Sequence, residues 1–153
     1  MPATPPIDPD FDAHQADQRG ELRSGGGLQV LAAIVAGGAI GSLARYGLQE
    51  AFPHPVTGLA LATLGINVSG CLLIGILMAL ITHVWTGRPL LRPFLGVGVL
   101  GGFTTFSTYV VDIQQAVLAG AAGVAMVYLA ATLIGAVAAV WLGTAVTQWA
   151  VKA

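Results

Sequence analysis

The stretch Gly101-Gly102-Phe103-Thr104-Thr105-Phe106-Ser107-Thr108-Tyr109 lies in the middle of a hydrophobic span and decides how this chain folds. It combines two glycines, four Ser or Thr hydroxyls and three aromatic rings. Backbone polar groups in a bilayer must be satisfied internally, so a break at membrane depth is tolerated only where it is buried in protein or lines an aqueous path. Adjacent glycines followed by hydroxyl residues weaken a helix, and broken membrane helices free carbonyls that bind cations. The stretch therefore predicts an ion site inside a membrane protein.

The composition places the chain among membrane proteins. Of its 153 residues, 56% are hydrophobic and 8% are charged, whereas a soluble domain is typically about 25% charged. The formal net charge of −1 argues against a nucleic-acid partner. Cys71 is the single cysteine, so an intrachain disulfide is excluded and the thiol is expected to pack as a small hydrophobe.

Four hydrophobic spans predict an all-α transmembrane domain over residues 28–153. Each span reaches the roughly 20 residues that cross the hydrocarbon core. The spans run Leu28–Leu48, Gly58–Val84, Leu95–Leu118 and Gly120–Trp149. Residues 1–27 are rich in proline and acidic side chains and carry little apolar surface, which predicts a disordered N-terminal tail.

The positive charges are unevenly distributed between the two ends of the spans. Arg19, Arg23, Arg88, Arg92 and Lys152 fall on one side, whereas the opposite loops offer at most Arg45, at the far end of the first span. Lys and Arg concentrate in cytoplasmic segments. We therefore expect a multi-pass protein of the cell membrane with both termini in the cytoplasm.

Polar residues inside the first two spans are candidates for function. Gly37, Gly41 and Arg45 share one helix face, and an intramembrane Arg costs about 2.5–3.5 kcal/mol to insert. Arg45 either serves an ion pathway, pairs with another helix, or reaches the headgroups from the span end. Asn67 in the second span needs a partner at membrane depth, which is either a neighbouring helix or the contents of a pore.

The third and fourth spans add aromatic and hydroxyl side chains. Phe106, Tyr109 and Asp112 follow each other at three-residue intervals on one stripe. The electropositive edges of the two rings could attract an anion, or the rings could simply pack. Tyr128 and Thr132 lie four residues apart in the fourth span and are either pore donors or interhelical hydrogen-bond partners. The sequence contains no nucleophile–base arrangement or nucleotide-binding motif, so an enzyme is not expected.

Three features together resemble the Fluc (CrcB) family of fluoride channels. They are Gly-Gly-x-Thr-Thr-Phe-Ser-Thr-aromatic at Gly101–Tyr109, Gly-x-x-x-Arg at Gly41–Arg45, and Asn67-x-x-Gly70. The first is highly specific, whereas the other two would be weak alone. The resemblance extends over about Val35 to Val146, which is nearly everything except the tail.

The resemblance implies an antiparallel dimer with two fluoride pores and one structural sodium ion at its centre. The sodium would be held by the backbone carbonyls at the positions of Gly101 and Thr104. Family positions in and around the pore match these residues: Asn67, Phe106, Ser107, Thr108, Tyr109, Tyr128, Thr132, Arg45 and Asp112. The chain departs from the usual pattern at Tyr109, where Phe is usual, at Thr132, where Ser is more usual, and at Asp112, where Glu is frequent.

The residue chemistry supports fluoride independently, and two other interpretations compete with it. Fluoride is strongly hydrated, so a pore must replace its water with donors without trapping it. A small four-helix drug or cation exporter would need a membrane acid, and only Asp112 is available in the spans. A membrane assembly factor without transport would leave the hydroxyl-rich break unexplained. The partner subunit could be a second copy or, given the strong orientation bias, a paralogous chain.

Overall fold

A computed structural model describes residues 26–152, and the regular structure within that range is entirely helical. Helix α1 spans Gly26–Ala51 and α2 spans Leu61–His83. The third span consists of α3, Arg92–Leu100 continued by the single turn Gly101–Phe103, and of α4, Ser107–Leu118. Helix α5 spans Ala122–Lys152. The predicted all-α class is confirmed, and the four spans are long and apolar enough to cross a membrane.

The helix boundaries differ from the predicted spans by a few residues. Helix α1 begins at Gly26, two residues earlier than expected, and residues 1–25 of the predicted tail lie outside the described range. Helix α2 begins only at Leu61, because Gly58 closes a turn on the Pro55 carbonyl. Gly120 has a positive φ of 78°, which glycine adopts without strain, and α5 follows this turn.

The predicted interruption of the third span is confirmed, and it lies at residues 104–106 within the stretch Gly101–Tyr109. Both Gly101 and Gly102 are helical, and the chain leaves the helix at Thr104, whose ψ is 156°. The segment before them is wound as a π-helix, in which the Gly101 N–H donates to the Gly96 carbonyl five residues back. Long π-helical segments are rare and frequently accompany functional sites.

Glycines allow the helices to pack at close range. Helix α1 packs on α3, and α2 packs on α5. A Cβ atom at Gly41 would overlap the Val99 carbonyl oxygen, and one at Gly143 would overlap the Leu72 carbonyl oxygen. Small residues therefore bring these helices together at Gly41 and Gly143. The outer surface retains many exposed large hydrophobic side chains, which suit lipid or a second subunit.

Candidate functional site

The interruption between α3 and α4 forms the centre of the candidate site. Thr104 ends the first segment by donating both its N–H, at 3.0 Å, and its hydroxyl, at 2.9 Å, to the Leu100 carbonyl. Thr105 then begins the second segment, because its hydroxyl accepts the Thr108 N–H at 3.2 Å and lies 3.0 Å from the Thr108 hydroxyl. The Thr104 hydroxyl thus adds to a backbone bond before the break, whereas the Thr105 hydroxyl replaces a backbone acceptor after it.

Asn67 of α2 holds the break in place. Its Oδ1 accepts the Thr105 N–H at 2.9 Å, and its Nδ2 donates to the Thr105 carbonyl at 2.9 Å. The pair satisfies both backbone groups of a residue that has no regular structure. The partner of Asn67, which the sequence left open, is therefore the backbone of Thr105. An amide has two N–H donors, so one remains for another ligand.

Two carbonyls at the break lose the partners they would have in a continuous helix. In an α-helix each carbonyl accepts the N–H four residues later. The Thr105 N–H, which would serve Gly101, donates to Asn67 instead. The Thr108 N–H, which would serve Thr104, donates to the Thr105 hydroxyl. The two positions predicted to hold a cation are thus among those whose helical donors are lost at the break.

Arg45 supports the break from α1. Its Nε donates to the Gly102 carbonyl at 3.1 Å, and the Ser42 hydroxyl lies 3.5 Å from the same oxygen. Among the alternatives for Arg45, the structure therefore favours pairing with another helix over reaching the headgroups. Close approach of the helices makes the contact possible, because Gly102 presents only hydrogen toward the Gly38 backbone.

A cavity of about 410 Å³ lies beside the break. It brings together Asn67, Gly101, Thr104, Phe106, Tyr109 and Thr132 among the predicted site residues. Its remaining lining is Gly70, Cys71, Ile74, Gly96, Leu100, Thr105, Leu133 and Ala136. Within the described range no charged side chain lines it, so a ligand there meets only neutral donors, carbonyls and apolar surface.

Three aromatic rings form a chain of contacts that begins at the cavity wall with Phe106 and Tyr109 and continues to Tyr128. The Phe106 and Tyr109 rings are 5.9 Å apart, and the edge-on Tyr109 and Tyr128 rings are 5.3 Å apart. Phe106 is 77% exposed, so its ring is available to an ion or a second subunit. Tyr109 stands where Phe is usual and so adds a hydroxyl. This hydroxyl donates to the Leu129 carbonyl at 3.1 Å.

The predicted hydroxyl residues Thr132 and Tyr128 of α5 and Ser107 of α4 differ in burial and in hydrogen bonding. Thr132 is buried, and its Oγ1 has no hydrogen-bond partner within residues 26–152. Because a buried hydroxyl normally has a partner, this one is available to a ligand in the cavity. Tyr128 is also buried, and its hydroxyl donates to Asp112 Oδ2 at 3.3 Å. Ser107 is exposed and lines neither this cavity nor the next one.

A second cavity of about 280 Å³ lies at the end of α1. Gln49, His54, Thr63, Thr108 and Asp112 contribute its polar lining. His54 was not predicted as a site residue, because nothing in the loop sequence shows that it meets α4. Among the described residues no cluster of three His, Cys, Asp or Glu side chains could hold a metal ion. A cation would therefore depend on backbone oxygens.

The chain matches a family model along most of its length. Residues 32–144 match the model described as CrcB-like protein, Camphor Resistance (CrcB). The chain is 48% identical over 124 residues to a Nocardia farcinica protein named Fluoride-specific ion channel FluC 2, covering 81% of this chain and 89% of the relative. It is 55% identical over 112 residues to the Thermobifida fusca protein of that name, covering 72% and 82%. The chain that carries this neutral cavity and broken third span is a member of the CrcB family.

Proposed function

We propose that this protein is a fluoride-selective ion channel that exports fluoride passively and so lowers its cytoplasmic concentration. The observation that carries this proposal is the lining of the main cavity. It offers two hydrogen-bond donors, the second amide N–H of Asn67 and the unpartnered hydroxyl of Thr132, and no charged side chain lies around them. Neutral donors replace the water of an anion without a full charge that would hold it too tightly. The family and the names of its relatives support the same function.

The chain is a channel of the membrane and not an enzyme or a cation exporter. An exporter would place an acid in its binding cavity, whereas Asp112 lies outside the main cavity and accepts a hydrogen bond from Tyr128. The route for fluoride runs from the cavity at Asp112, past Thr108 and Tyr128, to Thr132 and Asn67. Ring edges of Phe106 and Tyr109 add electropositive surface along that route.

A structural sodium ion fits the break of the third span. The carbonyls of Gly101 and Thr104 have lost their helical donors, and hard cations favour such oxygens. Arg45 and Asn67 occupy the neighbouring Gly102 and Thr105 backbone groups and would keep them out of the coordination sphere. The ion would neutralise carbonyl dipoles at the centre of the assembly and would not be transported.

An antiparallel dimer in the cell membrane would complete the pathway. The exposed Phe106 ring and the exposed apolar side chains of the helices offer a surface for a second subunit in the bilayer. Arg88, Arg92 and Lys152 favour cytoplasmic termini. Because this bias opposes insertion in both orientations, the partner would be a paralogous subunit rather than a second copy. Streptomyces avermitilis has two relatives of this chain, named FluC 2 and FluC 3.

Fluoride efflux from liposomes containing purified protein tests the function. Fluoride should leave down its gradient with little chloride release, whereas equal rates for both anions would exclude the proposed selectivity. Asn67→Asp should abolish the flux, because a carboxylate beside the anion repels it while still accepting the Thr105 N–H. Gln115→Glu is the matched control, since it adds the same charge to an exposed position of α4. If this protein alone proves silent, the assay is repeated with a paralogous partner.

A further inference from the structure

The second cavity adjoins the fluoride pathway at the end of α1. Thr63 lies one helical turn from Asn67, and the hydroxyls of Thr108 and Thr105 are in contact. Each pair has one member in the second cavity and one in the main cavity. The two cavities are therefore separated by about one turn of helix along α2.

His54 is held so that one ring nitrogen faces Asp112. Its Nδ1 lies 3.2 Å from the Pro55 carbonyl oxygen, which can only accept, so the neutral ring carries its proton there. Nε2 is then the nitrogen that gains the second proton, and it lies 3.9 Å from Asp112 Oδ1. The other carboxylate oxygen, Oδ2, accepts the Tyr128 hydroxyl. The Asp112 side chain is only 11% exposed, so solvent screens its charge weakly.

We propose that His54 controls fluoride entry by protonation, because its positive charge neutralises Asp112 at the mouth of the pathway. This inference rests on the proposed fluoride channel and adds a residue outside the family motifs. With a neutral His54 the mouth carries the full negative charge of Asp112 and repels fluoride. With a charged His54 the pair is neutral overall, and the repulsion is removed. His54 therefore affects fluoride through the charge of Asp112 and does not itself bind the ion.

Few other titratable groups face this pair within residues 26–152. From α1 the cavity receives Gln49, while the adjacent Glu50 is exposed and Arg45 is bound to the Gly102 carbonyl. Helix α2 contributes Thr63, which does not titrate. Tyr128 reaches Asp112 from α5, and Tyr109 of α4 packs against Tyr128. Tyrosine stays neutral in the range where histidine changes its charge, so His54 is the side chain around this cavity that can change its charge there.

The first test measures fluoride flux at pH 8, 7 and 6, with equal pH on both sides of the liposome. The wild-type rate should rise about threefold to tenfold as the pH falls, because histidine gains its charge in this range and a neighbouring carboxylate is then offset. His54→Gln should give the same rate at all three values after subtraction of protein-free liposomes. His83→Gln, at the exposed end of α2, should keep the wild-type pH response. A His54→Gln profile that matches the wild type would overturn the proposal.

Two further measurements protect the test against a misfolded variant. Asp112→Asn should raise the flux at pH 8 toward the wild-type flux at pH 6, because the repelling carboxylate is absent, and adding His54→Gln should remove the pH response that remains. Nitrogen NMR of the unmodified protein reports the neutral His54 tautomer, which should carry its proton on Nδ1. A proton on Nε2 would contradict the arrangement. Wild-type flux that is large but independent of pH sinks only this inference, whereas absence of fluoride flux at every pH, both alone and with a paralogous partner, sinks the proposed function itself.

Discussion

At the scale of single residues, Thr132 and Thr147 form a natural comparison on α5. Both are buried threonines, but Thr147 donates to the Gly143 carbonyl at 2.7 Å, whereas the Thr132 hydroxyl has no partner in the described part of the chain. Thr132→Val should leave stability unchanged and lower fluoride flux about tenfold, as expected when one donor worth about 1.4 kcal/mol is lost from the path. Liposome flux and thermal unfolding measure the two effects.

Thr147→Val serves as the control for that substitution. It removes a hydroxyl of the same kind from the same helix, far from the cavity, so flux should stay within about twofold while stability falls by about 1 kcal/mol. Equal flux in the two variants would show that the Thr132 hydroxyl does not contact the ion.

Individual site residues were predictable from the sequence when their own chemistry was unusual for a membrane. Asn67, Arg45 and Thr132 stood out as polar groups in apolar spans, and the structure places all three at or beside the break. Their partners were not predictable. Thr105 is 38 positions from Asn67, and no local pattern indicates which backbone group a side chain will reach across helices. His54 was missed for the same reason.

At the scale of helices, the sequence predicted the interruption of the third span within Gly101–Tyr109, and the structure has it at residues 104–106 of that stretch. Two glycines weaken a helix, but they do not indicate which residue of the stretch ends it. The decisive interaction instead comes from α2, because Asn67 captures the Thr105 backbone after both glycines have completed the helical segment. The glycines serve packing, since Gly102 lies against the Gly38 backbone of α1. The π-helical winding of Arg92–Leu100 had no signal in the sequence.

The contact between α1 and α3 gives a prediction about stability. Gly41→Ala would place a methyl group against the Val99 carbonyl and the Phe103 N–H, both parts of a rigid backbone. We expect a loss of about 1–3 kcal/mol, which overpacking of this kind usually costs. Gly47→Ala in the same helix meets nothing within 4 Å and should be neutral. Thermal unfolding in detergent compares the two, and equal midpoints would contradict the packing described here.

At the scale of the whole molecule, the proposed sodium site predicts a specific ion requirement. Replacing sodium with a larger cation should lower the dimer fraction of purified protein, because carbonyl oxygens at Gly101 and Thr104 would fit it less well. Thr104→Ser should be tolerated, since the carbonyl remains, while a bulky residue at Gly101 should abolish the effect of sodium. Size-exclusion chromatography across a sodium titration measures this. A dimer fraction that ignores complete sodium removal would count against the site.

The distribution of basic residues predicts the orientation of the assembly. Most copies should insert with the C-terminus in the cytoplasm, because Arg88, Arg92 and Lys152 share that side. C-terminal reporter fusions expressed in cells measure the two orientations. Comparable amounts of both, together with fluoride flux by this protein alone, would favour a homodimer over a pair of paralogues and leave the channel function intact.

The hydrogen bonds at the break also bear on how the channel is assembled. The backbone N–H groups of Thr104, Thr105 and Thr108 all find acceptors within one chain. These three donors therefore need no acceptor from a second subunit. In the proposed dimer, pairing is then an encounter between subunits that are already folded and diffuse in the plane of the membrane. The number of working channels should consequently follow mass action and rise more steeply than the number of subunits per unit of membrane area.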